Sequence, residues 1–114
     1  MVQIDKTTEN DITTLSITGE VDASSSIQLD EALGEVVNHG APGILIDCSG
    51  LSYISSAGLG VFMSYIEDIK TKNLRMALFG LNEKVKNVFD ILGLDQLLTL
   101  VNTKEEALAV VNEA

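Results

Sequence analysis

The sequence has no tryptophan and only one cysteine, one histidine and one proline in 114 residues, and each scarcity excludes something. Cys48 by itself can neither close a disulfide within the chain nor build a cysteine-based zinc site. With His39 the only imidazole, no His/Cys metal cluster is available and no Ser-His-Asp hydrolytic set is expected. The single proline, Pro42, leaves no proline-rich linker, and there is no repeat or low-complexity tract. Aromatic residues make up 4% of the chain, so the core has to be built from Ile, Leu, Val and Ala. No apolar run approaches the ~20 residues that a membrane span needs, and Met-Val-Gln-Ile-Asp at the start has neither part of a signal peptide. A cytoplasmic protein is expected. Basic residues are also few: seven against seventeen acids give a net charge of −10, which disfavours nucleic acid and anionic membrane as partners.

What is present is an apolar fraction of 46%, enough for one domain spanning 1–114 to fold without staples. The charge is unevenly spread. Residues 1–68 hold eleven acids and one base, Lys6, whereas residues 69–114 hold six of each. A basic protein surface would be steered toward the first part, although solubility alone would account for the same excess.

Residues 2–7 and 12–18 alternate apolar and polar, the period of half-buried strands, with Glu9-Asn10-Asp11 as a hairpin turn between them. Leu29, Ala32, Leu33, Val36 and Val37 then fall on one face of a helix, with Ser25 and Gln28 as a capping box and Gly40 as the stop. Residues 43–48 suit a strand covered on both faces, and 56–71 a second helix presenting Leu59, Phe62, Met63, Ile66 and Ile69. Leu74–Phe79 reads as a strand. Asn82 caps a helix carrying Val85, Val88, Phe89 and Leu92 and ended by Gly93. Leu97–Val101 is a short strand, and Thr103 with Glu106 is a capping box opening a last helix with Ala107, Leu108 and Val111. The order predicts an α/β fold: a small mixed, mostly parallel sheet with an N-terminal edge strand or hairpin and about four helices mainly on one face.

Little in the sequence points to catalytic or ligand chemistry. Gly58-Leu59-Gly60 lacks the rest of any nucleotide fingerprint, there is no Gly-x-Ser-x-Gly elbow, and no cofactor, metal site or catalytic residue is expected. Cys48 reads as a buried strand residue and His39 as a cation at a helix C-terminus. The stretch Ser-Tyr-Ile-Ser-Ser-Ala-Gly-Leu-Gly at 52–60 stands out. It follows a central strand, where open α/β sheets place their sites, and opens a helix whose unpaired N–H groups favour an anion. Two glycines in the first turn cost about 1 kcal/mol each against alanine, which points to close approach by a neighbouring strand or a partner. Capping by Ser55 or Ser56, with glycine packed on the sheet, is the structural alternative. Gly19-Glu20-Val21-Asp22-Ala23-Ser24-Ser25-Ser26 likewise ends a strand and leads into a helix, so adjacent strands would bring both loops, with Glu20 and Asp22 exposed, to one rim.

On these residues the chain resembles the STAS domains, specifically the small bacterial anti-sigma factor antagonists. The resemblance covers nearly the whole chain. Gly19-Glu20-Val21-Asp22 is similar to the family's Gly-Glu-x-Asp, Leu51 to Val61 to its Asp-Ser-(Ser/Thr/Ala)-Gly-Leu-Gly segment, and Phe89-Asp90-Ile91-Leu92-Gly93-Leu94 to its Phe-Asp-x-x-Gly-Leu helix ending. The resemblance implies that Ser56 is the phosphoacceptor. Ser55 stands where such proteins commonly carry aspartate, and Asp22 matches an acid on the same rim. It implies partner binding through Glu20, Asp22, Ser24, Ser55, Ala57, Gly58, Leu59 and Gly60. The implied partners are an anti-sigma factor that is a serine kinase of the histidine-kinase-like ATPase type, and a metal-dependent serine phosphatase. The function it implies is partner switching: the unphosphorylated protein sequesters the kinase and frees a sigma factor. A constitutive scaffold subunit and a small-ligand or nucleotide sensor are the competing expectations.

Overall fold

The alternating residues at the start form the expected hairpin. In the computed structural model, which describes residues 2–112, β1 (Val2–Glu9) and β2 (Ile12–Val21) pair antiparallel from Glu9↔Ile12 to Val2↔Gly19. Asn10 and Asp11 between them have φ of 51° and 69°, the two left-handed residues that a two-residue type I′ turn needs. There follow α1 (Ser26–Asn38), β3 (Gly43–Ile54), α2 (Ser56–Thr71), β4 (Arg75–Phe79), α3 (Glu83–Ile91), a 3-10 turn at Leu94–Gln96, β5 (Thr99–Val101) and α4 (Lys104–Asn112). Strand order in the sheet is the order in the chain, and every pairing after the hairpin is parallel. This is the α/β fold that the element order predicts.

The alternation along β2 and β3 decides which helix packs where. Leu15, Ile17, Ile44, Ile46 and Cys48 point to the face covered by α1, α2 and α3, where they meet Leu29, Leu33, Phe62 and Phe89. Phe62 and Phe89 pack tilted with ring centroids 6.2 Å apart. Burying each such side chain contributes about 1.5–3 kcal/mol, and this cluster forms the larger core. Leu45, Ala77 and Phe79 point the other way and are covered by Ala107 and Val111 of α4. The first three helices cross between parallel strands on one face; α4, following the last strand, takes the other. Between α1 and α2 the Tyr65 hydroxyl donates to the Asp30 carboxylate at 2.7 Å. Gly34 leaves room for it, since a Cβ there would stand 2.6 Å from the Tyr65 oxygen.

Four local expectations need correction. β3 runs six residues past Cys48, to Ile54, because Ser49-Gly50 forms an irregularity inside the strand instead of a turn. The Asp47 carboxylate accepts from the Ser49 backbone (3.0 Å) and hydroxyl (2.6 Å), and β3 spends one extra residue against β2 there and another before Tyr53. β5 begins at Thr99, as Leu97 and Leu98 close the preceding 3-10 turn. Leu92 is 55% exposed, just beyond the end of α3. Ser25 does not form a capping box with Gln28, because its hydroxyl turns back into the preceding loop. The other caps form: Asn82 accepts from the Val85 N–H at 2.8 Å, and Thr103 and Glu106 exchange bonds at 3.1 and 3.2 Å.

Candidate functional site

Because β2 and β3 are neighbours, the loops that leave their C-terminal ends meet, as the two motifs require. The Ser55 N–H donates to the Val21 carbonyl at 2.8 Å, and the Ser52 hydroxyl to the Gly19 carbonyl at 3.1 Å. The start of α3 joins the same edge, with the Asn82 side-chain amide donating to the Leu51 carbonyl at 3.3 Å.

In the first loop one oxygen of Asp22 organises the chain. Its Oδ1 accepts from the backbone N–H of Ser24 (3.0 Å) and Ser25 (2.8 Å) and lies 2.9 Å from each hydroxyl. These bonds, the Ser25 backbone bond first among them, hold the carboxyl at about 2, below its ordinary 3.8. Asp22 is therefore half-buried and engaged in the turn, in contrast to the freely exposed rim acid expected of it. Glu20 and Ser24 are exposed.

In the second loop Ser55, half-buried with extended backbone, caps α2 by accepting from the Gly58 N–H at 3.3 Å. Ser56 is the first residue of the helix and exposed, and its hydroxyl has no partner among the described residues. Ala57 and Gly60 are exposed beside it. The two glycines differ in kind. A Cβ on Gly58 would lie 2.7 Å from Val21 and 2.8 Å from Ile54, so Gly58 lets the helix start sit directly on the strand ends; around Gly60 there is open space. Leu59 is 2% exposed and belongs to the core, and Gly58 is buried too. Both were expected at the partner surface, and both are instead buried, setting the position of the exposed residues beside them. Tyr53 (43% exposed), which lines a small cleft with Lys84, adds an apolar group to this edge, and Ile27 is exposed at the start of α1; Met63, whose spacing put it on the apolar face of the second helix, is instead 49% exposed.

Elsewhere the reactive residue types are engaged. Cys48 is buried, which pushes its thiol up to about 12 and leaves it a poor nucleophile. His39 follows α1 with Nδ1 2.8 Å from the Glu35 carbonyl oxygen. Among the described residues no three His, Cys, Asp or Glu side chains converge to hold a metal ion, and no helix is long and apolar enough to cross a membrane.

The molecule is thus a single-sheet α/β domain whose C-terminal edge carries two cross-linked loops and an exposed serine at a helix start. Residues 3–107 match the family model of the STAS domain, and the chain belongs to that family. It is 29% identical over 101 residues to the anti-sigma-B factor antagonist of Listeria monocytogenes, across 89% of each chain. The crystal structure of an anti-sigma factor antagonist from Mycobacterium paratuberculosis superposes with a TM-score of 0.91 at 22% identity, covering 99% of this chain and 96% of that one. Bacillus SpoIIAA in its phosphorylated form has the same fold, with a TM-score of 0.71 at 21% identity over 98% of this chain and 100% of that one.

Proposed function

We propose that this chain is an anti-sigma factor antagonist that binds a serine-kinase anti-sigma factor through its two-loop edge and is released when Ser56 is phosphorylated. The observation that carries the reading is the free Ser56 hydroxyl at the first position of α2, next to a serine already used as the cap. Its similarity to the Listeria antagonist supports the regulatory role, and the phosphorylated SpoIIAA structure supports a fold compatible with a phosphate.

The chemistry is local. A phosphate on Ser56 adds about −1.5 to −2 charges beside unpaired N–H groups at the positive end of α2, which the helix tolerates. A partner carboxylate about 5 Å away would meet repulsion of about 3 kcal/mol per unit charge at an effective dielectric of ~20, roughly a hundredfold in affinity. No large rearrangement is needed. Exposed Ala57 and Gly60 leave the outer face of the first helical turns nearly flat, so a partner can approach the hydroxyl closely. A metal-dependent serine phosphatase resets the switch.

Incubation with ATP and a serine-kinase anti-sigma factor, followed by phosphopeptide mapping, tests this. Phosphate on Ser56 alone, with loss of kinase binding, is the expected result, and Ser56→Ala should hold the kinase without release. Phosphate on Ser55 would move the acceptor by one residue; phosphate on neither would make the domain a constitutive scaffold.

A further inference from the structure

At the other end of α2, about 21 Å from Ser56 at ~1.5 Å per residue, a cavity of about 230 Å³ opens between the last turns of that helix, the start of β4 and the segment entering β5. It exists because β5 is short. The β4–β5 ladder begins at Ala77↔Thr99, so Arg75 and Met76 extend past the last paired residue. Ile69, Met76 and Leu98, all buried, line the cavity, and Leu97 beside them is 51% exposed. Lys70 and Arg75 line it as well, and among the described residues none that lines it is acidic. Among the described residues the one ion pair is Lys6 with Glu35, so both cations stand without a carboxylate. In a chain of net charge −10, three of its seven bases (Lys70, Lys72 and Arg75) fall within six residues at this end.

We propose that this cavity binds a small aliphatic carboxylate, with its alkyl chain against Ile69, Met76 and Leu98 and its carboxylate held by Lys70 and Arg75. An apolar floor rewards a hydrocarbon chain, and a guanidinium beside an ammonium is suited to a carboxylate, which Arg takes in bidentate fashion. The volume lies below the ~300–1,000 Å³ of sites for drug-sized ligands, which selects a short chain. A nucleotide would lay ribose and phosphates on the apolar floor. The site is independent of Ser56 and of the switching reading.

Octanoate, octan-1-ol and butyrate, each titrated into the full chain and followed by amide chemical shifts, test the proposal. Octanoate should give saturating shifts confined to the amides of residues 69–76 and 97–99, tighter than either octan-1-ol or butyrate. Lys70→Gln combined with Arg75→Gln should weaken octanoate about tenfold and leave octan-1-ol unchanged. Val110→Phe, which fills the cavity from α4 while keeping both cations, should abolish octanoate binding. Shifts that do not saturate or that spread over the surface, or octanoate affinity unchanged in either variant, would overturn the assignment. So would saturation of these amides only by an acidic apolar peptide, which would make the cavity a peptide groove.

Discussion

The turn at Asp22–Ser25 and the turn at Ser55–Gly58 stand side by side on one edge, are both rich in serine, and both lead into a crossover helix. In the first, both the Ser24 and Ser25 hydroxyls lie 2.9 Å from the Asp22 carboxylate, and neither caps a helix. In the second, no carboxylate precedes the pair. Ser55 takes the cap and Ser56 is left with an exposed hydroxyl. Serine content therefore does not set which hydroxyl is left free; what its neighbours have already claimed does. One turn is a fixed support, whose Val21 carbonyl receives the Ser55 N–H, and the other presents the group that the support positions.

The strongest way to break this arrangement is to wedge the two turns apart. Gly58→Val forces side-chain atoms into space where even a Cβ would be 2.7 Å from Val21 and 2.8 Å from Ile54. Overpacking of this kind costs about 1–3 kcal/mol, read as a lower urea midpoint with an unchanged slope. Gly60→Ala is the control: nothing lies within 4 Å of its added Cβ, so helix propensity should stabilise the protein by up to ~1 kcal/mol. A loss at Gly60 as large as at Gly58 would mean that the packing argument is wrong.

Exchanging the cap sharpens the comparison within the second turn. Ser55→Ala removes the acceptor of the Gly58 N–H and should cost about 1 kcal/mol, whereas Ser55→Asp should restore the loss because aspartate caps as well as serine. The same urea titration checks both.

The pH dependence that Asp22 gives to stability is confined to acid. Its folded pKa, about 2, lies below the ordinary 3.8, so the stability it contributes is present above 3.8 and is lost as pH falls toward 2. Thermal melts between pH 5 and 2 should show wild type losing more stability than Asp22→Asn across that window. Parallel curves would show that the carboxylate charge does not hold the turn.

The legible part of this molecule was periodic or carried by turn chemistry. The hairpin at Asn10-Asp11, the amphipathic crossover helices, and the caps at Asn82 and Thr103 follow from spacing and side-chain type. The shared edge was legible only on condition that β2 and β3 are neighbours, which the sheet order supplies. What escaped was non-local. Ser49-Gly50 looks like a turn, and only pairing with β2 converts it to an irregularity inside a strand. Leu59 sits in a motif that resembles a binding segment, yet it lies in the core, as its helical spacing with Phe62 and Ile69 had it. Ser25 has a capping residue's type and spacing, but Asp22 competes for its hydroxyl. Each miss is a local pattern overridden by a partner distant in the chain or by a stronger acceptor nearby.

The smallest expected effect on stability belongs to the residue with the largest expected effect on function. Ser56 is exposed and its hydroxyl has no partner among the described residues, so Ser56→Ala should shift unfolding free energy by no more than about 0.5 kcal/mol. Ser56→Asp places a negative charge in the first turn of a 16-residue helix that has no acid there. It should stabilise by about 0.3–1 kcal/mol at low salt through the helix dipole, and the gain should shrink as salt is added. Urea titrations of the three proteins at low and high ionic strength decide the matter. A Ser56→Asp protein markedly less stable than Ser56→Ala would show that negative charge at this position strains the edge itself; release of a partner would then come from distortion of the two turns and not from charge repulsion across an intact surface.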